Sequence, residues 1–139
     1  MSHTSPILIV EDDQDDCELI QTALKDMGIT NEQKCFGDGK QALNYLQNSH
    51  EKTFLILSDI NMPNLNGFEL KKKINANESL KKQAIPFVYL TTSNSKQDID
   101  KAYDVFAQGF FTKPNNYNTL IGLLTKIIQY WKSSEAPAS

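Results

Sequence analysis

Short apolar runs alternate with amphipathic helical patterns along this chain of 139 residues. Three runs are almost wholly aliphatic or aromatic: "ILIV" (Ile7–Val10), "FLIL" (Phe54–Leu57) and "FVYL" (Phe87–Leu90). Runs of this length, apolar on both faces, are typical of strands buried in a parallel sheet. "GFFT" (Gly109–Thr112) predicts a shorter strand, and the more polar "EQKCF" (Glu32–Phe36) predicts a strand at the edge of the sheet.

The segments between these predicted strands show apolar patterns that are typical of helices. Five predicted helices carry apolar residues that form a face, with a spacing of three or four positions in the first of them, and we expect these faces to pack against the core. The faces are Cys17, Ile20, Leu24 and Met27; Ala42, Leu43 and Leu46; Phe68 and Leu70; Ile99, Ala102, Tyr103 and Phe106; and Leu120, Leu124, Ile127 and Trp131. The third of these helices is predicted to begin at Asn64.

Five successive strand–helix units predict a parallel sheet with helices on both faces and right-handed crossovers. An apolar first strand belongs inside the sheet, and a polar second strand belongs at its edge. This pattern favours a doubly wound α/β fold, with a five-stranded parallel sheet in the order 2-1-3-4-5, over a barrel of eight units. The length suits one domain. We expect that domain to span residues 1–139, with a core at about 6–132 and a disordered tail at 133–139.

Charge and composition exclude several classes of protein. A net charge of -3 argues against binding of nucleic acid through bulk charge, and "KKK" (Lys71–Lys73) is interpreted as a solvated helix face. The first residues, "MSHTSPILIV", lack the features expected of a signal peptide, and no apolar run approaches the roughly 20 residues that a membrane span needs. Cys17 and Cys35 predict two reduced, partly buried thiols. We therefore predict a cytoplasmic protein with no direct nucleic-acid or membrane partner.

Carboxylates follow two strands that the predicted sheet makes neighbours. Strand 1 runs into Glu11, Asp12 and Asp13, and strand 3 runs into Asp59. In an open α/β sheet, ligands bind beyond the carboxyl ends of the strands, where the strand order reverses. Like charges gathered there repel one another unless a cation offsets them, and oxygen ligands suit Mg²⁺ or Mn²⁺ better than zinc. A cluster of acids at a helix start explains Asp13 and its successors, but it does not explain Asp59.

Two further strand ends point at the same crevice. Thr91–Ser93 supplies hydroxyls after strand 4, and Lys113 supplies an ammonium after strand 5. A metal, a hydroxyl and an ammonium together would clamp a phosphoryl group, whose oxygens share negative charge. Because a carboxylate can form an aspartyl phosphate, Asp59 is the predicted nucleophile.

The motifs around these residues resemble the receiver domain of two-component response regulators, which has the flavodoxin-like fold of the chemotaxis regulator (CheY-like). The resemblance rests on "ILIVEDD", "LILSDINMPNLNG", "VYLTTS" and "FFTKP", and it covers about residues 6 to 132. It implies a signalling protein rather than an enzyme, one that accepts a phosphoryl group from a sensor histidine kinase or a phosphotransfer protein. Such a protein catalyses only its own phosphorylation and dephosphorylation. The sequences of these motifs are most similar to those of stand-alone receivers that serve phytochrome-type or hybrid kinases, so we expect no attached output domain.

The resemblance also implies a role for each site residue. Asp59 would be the phosphoacceptor, Thr91 would hydrogen-bond the phosphoryl group, and Lys113 would pair with it. The Lys113–Pro114 peptide bond would be cis. The Mg²⁺ ligands would be Asp12, Asp59 and the backbone carbonyl of Asn61, with Glu11 reaching the metal through water.

A phosphorylation switch follows from the same resemblance. The Thr91 hydroxyl would move toward the phosphate, and Phe110 would follow it inward, changing the surface of the fourth predicted helix, the fifth strand and the fifth helix. Output would pass to an unidentified downstream protein or to a homodimer formed through that surface. The chain departs from the receiver family at three places. Many members have a tyrosine at the position of Phe110 and an alanine at that of Thr92. Asn115 and Asn116 stand where an apolar residue is common after the Lys-Pro pair.

Three other functions stay open on the sequence. "GDGKQA" (Gly37–Ala42) matches a dinucleotide-binding fingerprint, but it follows the polar edge strand instead of the first central one. A phosphatase with an aspartyl nucleophile would carry a second acid two residues later, where this chain has Asn61. A pseudo-receiver would signal by binding alone, although all five expected chemical positions are filled here.

Overall fold

The computed structural model of the chain describes residues 2–135 and 137, and these form five strands and six α-helices; strands and helices alternate except where α4 directly follows α3. The strands are β1 (Ile7–Val10), β2 (Gln33–Phe36), β3 (Leu55–Ser58), β4 (Phe87–Thr91) and β5 (Gly109–Thr112). The helices are α1 (Gln14–Asp26), α2 (Gly39–Asn48), α3 (Gly67–Ala76), α4 (Glu78–Gln83), α5 (Lys96–Asp104) and α6 (Tyr117–Ser133), and a 3-10 helix spans Ser2–Thr4.

The five strands form one parallel sheet in the order β2-β1-β3-β4-β5, which confirms the predicted topology. β1, β3 and β4 are buried along their whole length, whereas the edge strand β2 is only partly buried. The register aligns Val10 with Ser58, so β1 and β3 end side by side. The amide of Asp59 then donates to the carbonyl oxygen of Val10 at 2.9 Å. The residues that follow both strands therefore leave the sheet together.

Apolar layers cover the two faces of the sheet. Alternate residues of a strand point to opposite faces, and β1 shows this clearly. Ile7 and Ile9 pack with α1 and α6, while Leu8 and Val10 pack with the helices of the other face. Each central strand is thus buried on both sides, which is why its sequence is apolar without alternation.

The third predicted helix differs from the structure in its start, and a sixth helix follows it. Asn64 does not begin a helix but adopts a left-handed conformation, with φ of 66°. The helix begins at Gly67 because the side chain of Asn66 accepts from the amide of Glu69, and Glu69 bonds back in a capping box. Asn77 then ends α3, and its side chain caps α4 by accepting from the amide of Leu80. The prediction of five helices was therefore wrong by one.

The predicted core face of the fourth helix, which is α5, is also partly wrong. Tyr103 is 52% exposed and Phe106 is 74% exposed. The helix ends at Asp104, and Phe106 adopts a left-handed conformation with φ of 66°, which takes its ring out of the helical stripe. Ala102 is buried as predicted and Ile99 is partly buried, while Val105 is buried although it was not predicted. We call the surface formed by α5, β5 and α6 the α5–β5–α6 face; it corresponds to the predicted signalling surface.

The two cysteines form a disulfide bond, which contradicts the prediction of two reduced thiols. Cys17 is buried on α1 and Cys35 is exposed on β2, and their Cα atoms are 6.5 Å apart. Cys35 lies opposite Ile9 in the sheet register, on the face that α1 covers. The crossover from β1 through α1 to the edge strand brings the two residues together, and their spacing in the sequence did not reveal this.

The two ends of the described chain meet beside the amino ends of the strands, on the side of the sheet away from the carboxylates. The Nζ of Lys132 donates to Asn31 Oδ1 at 2.8 Å, and His3 Nε2 lies 2.7 Å from the carbonyl oxygen of Ser134. Residues 136, 138 and 139 lie outside the described residues, so the disorder of the tail at 133–139 stays a prediction. None of the helices in the described part of the chain combines the length and hydropathy of a bilayer-spanning segment.

Candidate phosphoacceptor site

Three carboxylates meet where β1 and β3 end. Glu11, Asp12 and Asp59 each place an oxygen within 4.8 Å of the others. Glu11 is only 4% exposed, Asp59 is partly buried and Asp12 is exposed, so the group runs from the interior to the surface. Asp13 does not join the group. Its side chain instead caps α1 by accepting from the amides of Asp15 and Asp16.

Lys113 reaches into this cluster from the end of β5. Its Nζ donates to Asp59 Oδ2 at 3.2 Å, to Asp16 Oδ2 at 3.0 Å and to Glu11 Oε1. An ammonium has three donors, so each one has a carboxylate partner. The structure thus brings together the predicted lysine and the predicted acids, and it adds Asp16. A signal for Asp16 was present in the sequence, because side chains in the first turn of a helix lean back toward its N-terminus.

The peptide bond between Lys113 and Pro114 is trans, so the prediction of a cis bond was wrong. No cis bond occurs among the described residues. The amide of Lys113 donates to the carbonyl oxygen of Thr91 at 2.9 Å, which continues the pairing of β4 with β5. This backbone bond already directs the lysine toward the ends of the neighbouring strands. A trans bond, which X–Pro sequences prefer by about 0.5–1 kcal/mol, is therefore sufficient.

The remaining predicted residues surround the same crevice. Thr91 is fully buried at the end of β4, where its hydroxyl accepts from the amide of Ser93 at 3.1 Å and lies near enough to Asp59 to lower the pKa of that carboxyl. The side-chain amide of Asn61 donates to Ser93 Oγ at 2.7 Å, which links the β3–α3 loop to the β4–α5 loop. Phe110 is partly buried on β5, with its ring centroid 6.2 Å from that of Tyr89.

Burial and neighbouring charges shift the pKa values of the two inner carboxylates, Glu11 and Asp59, in opposite directions. Burial raises the pKa of Glu11 to about 7; the negative charge of Asp59 adds to this, and the hydrogen bond from Lys113 opposes it. Burial alone would also raise the pKa of Asp59, but the Thr91 hydroxyl, the charge of Lys113 and the Ile60 amide outweigh it and lower that pKa. The carboxylates around Lys113 raise its own pKa despite burial. Asp59 is therefore an anion at neutral pH, with a cation beside it.

Tight packing fixes the loop that carries Asp59. Its Oδ1 accepts from the amide of Ile60 at 2.7 Å, and the amide of Gly67 donates to the carbonyl oxygen of Ile60 at 2.8 Å. A Cβ atom on Gly67 would overlap the carbonyl oxygen of Asp59 and lie 2.9 Å from Cε1 of Tyr89. The buried hydroxyl of Tyr89 donates to the Gly67 carbonyl oxygen at 2.6 Å. Sequence reasoning missed both supporting residues, because one looked like a strand residue and the other like a turn glycine.

The stretch from Gly37 to Ala42 serves as a turn and a helix start, not as a phosphate cradle. The side chain of Asp38 caps α2 by accepting from the amide of Gln41, and it also accepts from Asn64. The amide of Gly39 donates to the carbonyl oxygen of Leu65 at 3.0 Å, and a Cβ there would overlap that oxygen. The β3–α3 loop therefore occupies the Gly39 amide and the space beside it.

A parallel sheet with acids, a hydroxyl and a lysine at its carboxyl ends defines a class of phosphoacceptor proteins, and the comparisons with known proteins agree. The family described as the response regulator receiver domain matches residues 7–125. The response regulator Rcp1 of Synechocystis sp. is 35% identical over 130 residues, which cover 90% of this chain and 87% of Rcp1. The chemotaxis protein CheY-3 of Vibrio cholerae is 32% identical over 123 residues, covering 88% and 91% of the two chains.

Solved structures give the same result. The phosphorylated cyanobacterial phytochrome response regulator RcpA matches with a TM-score of 0.86 at 32% identity, over 96% of this chain and 98% of that one. The Mn²⁺-bound form of Rcp1 matches with a TM-score of 0.82 at 33% identity, over 96% and 99%. This chain belongs to the response regulator receiver domain family. It is therefore a CheY-like signalling protein of two-component systems, in which receiver domains partner with histidine kinases or phosphotransfer proteins.

Proposed function

We propose that the chain accepts a phosphoryl group on the carboxylate of Asp59, in a reaction that needs Mg²⁺ and in which Mn²⁺ can substitute. One observation carries this proposal. The ionised Asp59 lies beside Thr91 and accepts from Nζ of Lys113 at 3.2 Å, while its oxygen lies within 4.8 Å of oxygens of Glu11 and Asp12. A nucleophile, a cation and a metal-binding group of acids thus share one crevice.

The donor set fits a hard divalent cation. Three carboxylates supply only oxygen ligands, and burial, together with the negative charge of Asp59, raises the pKa of one of them, Glu11. Asp12, Asp59 and the backbone carbonyl of Asn61 would hold the ion, with Glu11 reaching it through water. When bound, the ion neutralises the phosphoryl oxygens and the repulsion between the donor and the acids. The Mn²⁺-bound form of Rcp1 supports a cation of this type.

The chain's own residues perform the transfer. A carboxylate oxygen of Asp59 bonds to phosphorus as the bond from phosphorus to the donor breaks, and the donor leaves with the electron pair of that bond. The donor is the phosphohistidine of a sensor kinase or a phosphotransfer protein, whose imidazole nitrogen is the leaving atom. Lys113 and the Thr91 hydroxyl then contact the phosphoryl oxygens. Hydrolysis of the acyl phosphate by water returns the carboxylate, so the chain catalyses only its own phosphorylation and dephosphorylation.

The signal would leave through the α5–β5–α6 face. Thr91 lies on β4 opposite Thr112 of β5, and Phe110, two residues earlier on β5, packs beside Tyr89 below it. Movement of the Thr91 hydroxyl toward a phosphoryl group would open space for Phe110. The exposed rings of Tyr103 on α5 and of Phe106, just after α5, offer contacts for a downstream protein or a second copy of the chain. A single domain over residues 1–139 and a cytoplasmic location stay predictions.

Acetyl phosphate tests the proposal without knowledge of the kinase. The wild-type protein is incubated with acetyl phosphate and Mg²⁺, and its intact mass is measured against a sample that contains EDTA. We expect the mass of one phosphoryl group with Mg²⁺, none with EDTA, and none for Asp59→Asn under either condition. An unmodified wild-type protein would favour the pseudo-receiver, and rapid turnover of small phosphate esters would favour the phosphatase.

A further inference from the structure

Asp16 holds the third donor of Lys113, and no step of the proposed function uses it. Its Oδ2 lies 3.0 Å from Nζ of Lys113, and its side chain remains 40% exposed at the mouth of the crevice. It is not part of the group of metal-binding acids found among the described residues, which consists of Glu11, Asp12 and Asp59. Among the described residues, its carboxylate is linked to the site through the lysine.

Fixed backbone supports both partners of this ion pair. The amide of Asp16 donates to Oδ1 of the cap residue Asp13, and the next residue, Cys17, is buried and joined to β2 by the disulfide. On the other side, the amide of Lys113 is bonded to the carbonyl oxygen of Thr91 at 2.9 Å. The pair therefore connects two points that cannot drift apart without disturbing α1 or the sheet.

The geometry around Nζ shows what the contact does. Glu11 is the buried partner of the lysine and lies nearer to it than Asp59, which is at 3.2 Å. A lysine held only by these two acids could turn toward Glu11 and reduce its contact with Asp59. A third acceptor on α1 occupies another N–H, so that one donor stays directed at Asp59. A phosphoryl oxygen on Asp59 would meet that same donor.

We propose that Asp16 is a positioning residue, whose carboxylate holds the Lys113 ammonium so that one N–H points at Asp59 and at a phosphoryl group bound there. This inference rests on the proposed function. Its consequence is kinetic, because the lysine neutralises charge on the reacting phosphoryl group. Loss of the Asp16 carboxylate should slow phosphoryl capture without removing a metal ligand.

Asp15 supplies a matched control. It lies in the same first turn of α1 and carries the same charge, but Asp16 and not Asp15 appears among the ion pairs of the described residues. Replacing either residue removes one negative charge near the helix N-terminus and alters the long-range field alike. A difference between Asp16→Ala and Asp15→Ala therefore reports the contact with Lys113.

The test measures the maximal rate of phosphorylation by acetyl phosphate at saturating Mg²⁺, by intact mass against time. We expect Asp16→Ala to lower this rate by roughly three- to tenfold and Asp15→Ala to leave it within about twofold. Mg²⁺ affinity, measured by calorimetry, should be unchanged in both. Asp16→Asn, which keeps an acceptor oxygen in the same place, should recover part of the rate and replaces the alanine variant if that variant unfolds.

A double-mutant cycle separates positioning from a structural role. In a Lys113→Ala background, Asp16→Ala should have no further effect on the rate, because its partner is gone. An equal loss in both backgrounds, an unchanged rate in Asp16→Ala, or a faster rate would overturn the inference. If the wild-type protein accepts no phosphoryl group at all, the proposed function fails first; if it does and the two alanine variants match, only the role of Asp16 fails.

Discussion

Glu11 links the chemistry of the site to the stability of the fold. Burial raises its pKa from 4.5 to about 7. In the unfolded chain the group titrates near its ordinary value, so between these two pKa values the folded state binds more protons than the unfolded state. The stability that this group contributes is therefore fully present below about pH 4.5 and is lost as the pH rises through about 7.

The size of the effect follows from the two pKa values. They differ by about 2.5, and one pKa unit corresponds to about 1.4 kcal/mol, so Glu11 should change the free energy of unfolding by about 3 kcal/mol. Asp59 acts in a different range. Its lowered pKa contributes stability that is present above its ordinary value of 3.8 and is lost as the pH falls through the folded value. The two contributions therefore do not overlap in pH.

The contribution of Glu11 is isolated by urea unfolding of the wild-type protein and of the Glu11→Gln variant, both in EDTA, from about pH 5 to about pH 8. The amide keeps an acceptor for Lys113 but cannot ionise. Over this range, the wild-type protein should lose about 3 kcal/mol relative to the variant, and Mg²⁺ should restore more stability to the wild type than to the variant. The exposed Glu18→Gln variant should follow the wild type. Parallel profiles for the wild type and Glu11→Gln would refute the reasoning.

Two further predictions concern the scaffold around the site. Gly67→Ala should destabilise the fold by about 3 kcal/mol or more and weaken Mg²⁺ binding, because its Cβ would overlap the carbonyl oxygen of Asp59. Gly122→Ala, with open space around it in α6, should instead gain about 0.5–1 kcal/mol in the same urea and calorimetric measurements. Equal behaviour of the two variants would contradict the close approach at Gly67. Reduction of the Cys17–Cys35 disulfide should lower the free energy of unfolding by about 3 kcal/mol, because it frees a loop with a sequence separation of 18. Cys35→Ser should be insensitive to the reductant, and a wild-type protein equally insensitive to it would show that the bond contributes nothing.

Most of the fold was predictable because the burial of a strand largely determines which residue types it contains. β1, β3 and β4 lie between two layers of helices, so their sequences are apolar throughout, and β2 is more polar because it lies at the edge. That contrast was enough to predict the strand order. The strand order in turn predicted that residues after β1, β3, β4 and β5 would meet in one crevice, because parallel strands end at the same side of a sheet.

Other features depend on contacts that no local pattern encodes. α4 exists because Asn77 can both end one helix and cap the next, which a hydrophobic stripe does not show. Phe106 had helical spacing but turns outward with a positive φ. The disulfide and the pairing of Lys113 with Asp16 join residues 18 and 97 positions apart, through a crossover and a long flexible side chain. Distances of that kind are set by the tertiary packing.

The central claim is that acids from neighbouring strands are gathered so that a bound cation helps one of them, Asp59, to capture a phosphoryl group. Its most direct test is to phosphorylate the protein with acetyl phosphate and Mg²⁺, trap the acyl phosphate with borohydride, and locate the resulting homoserine by tandem mass spectrometry. Homoserine should be found at position 59 alone, and only when Mg²⁺ was present. Homoserine at position 12 or 13, or modification that is independent of Mg²⁺, would contradict the account.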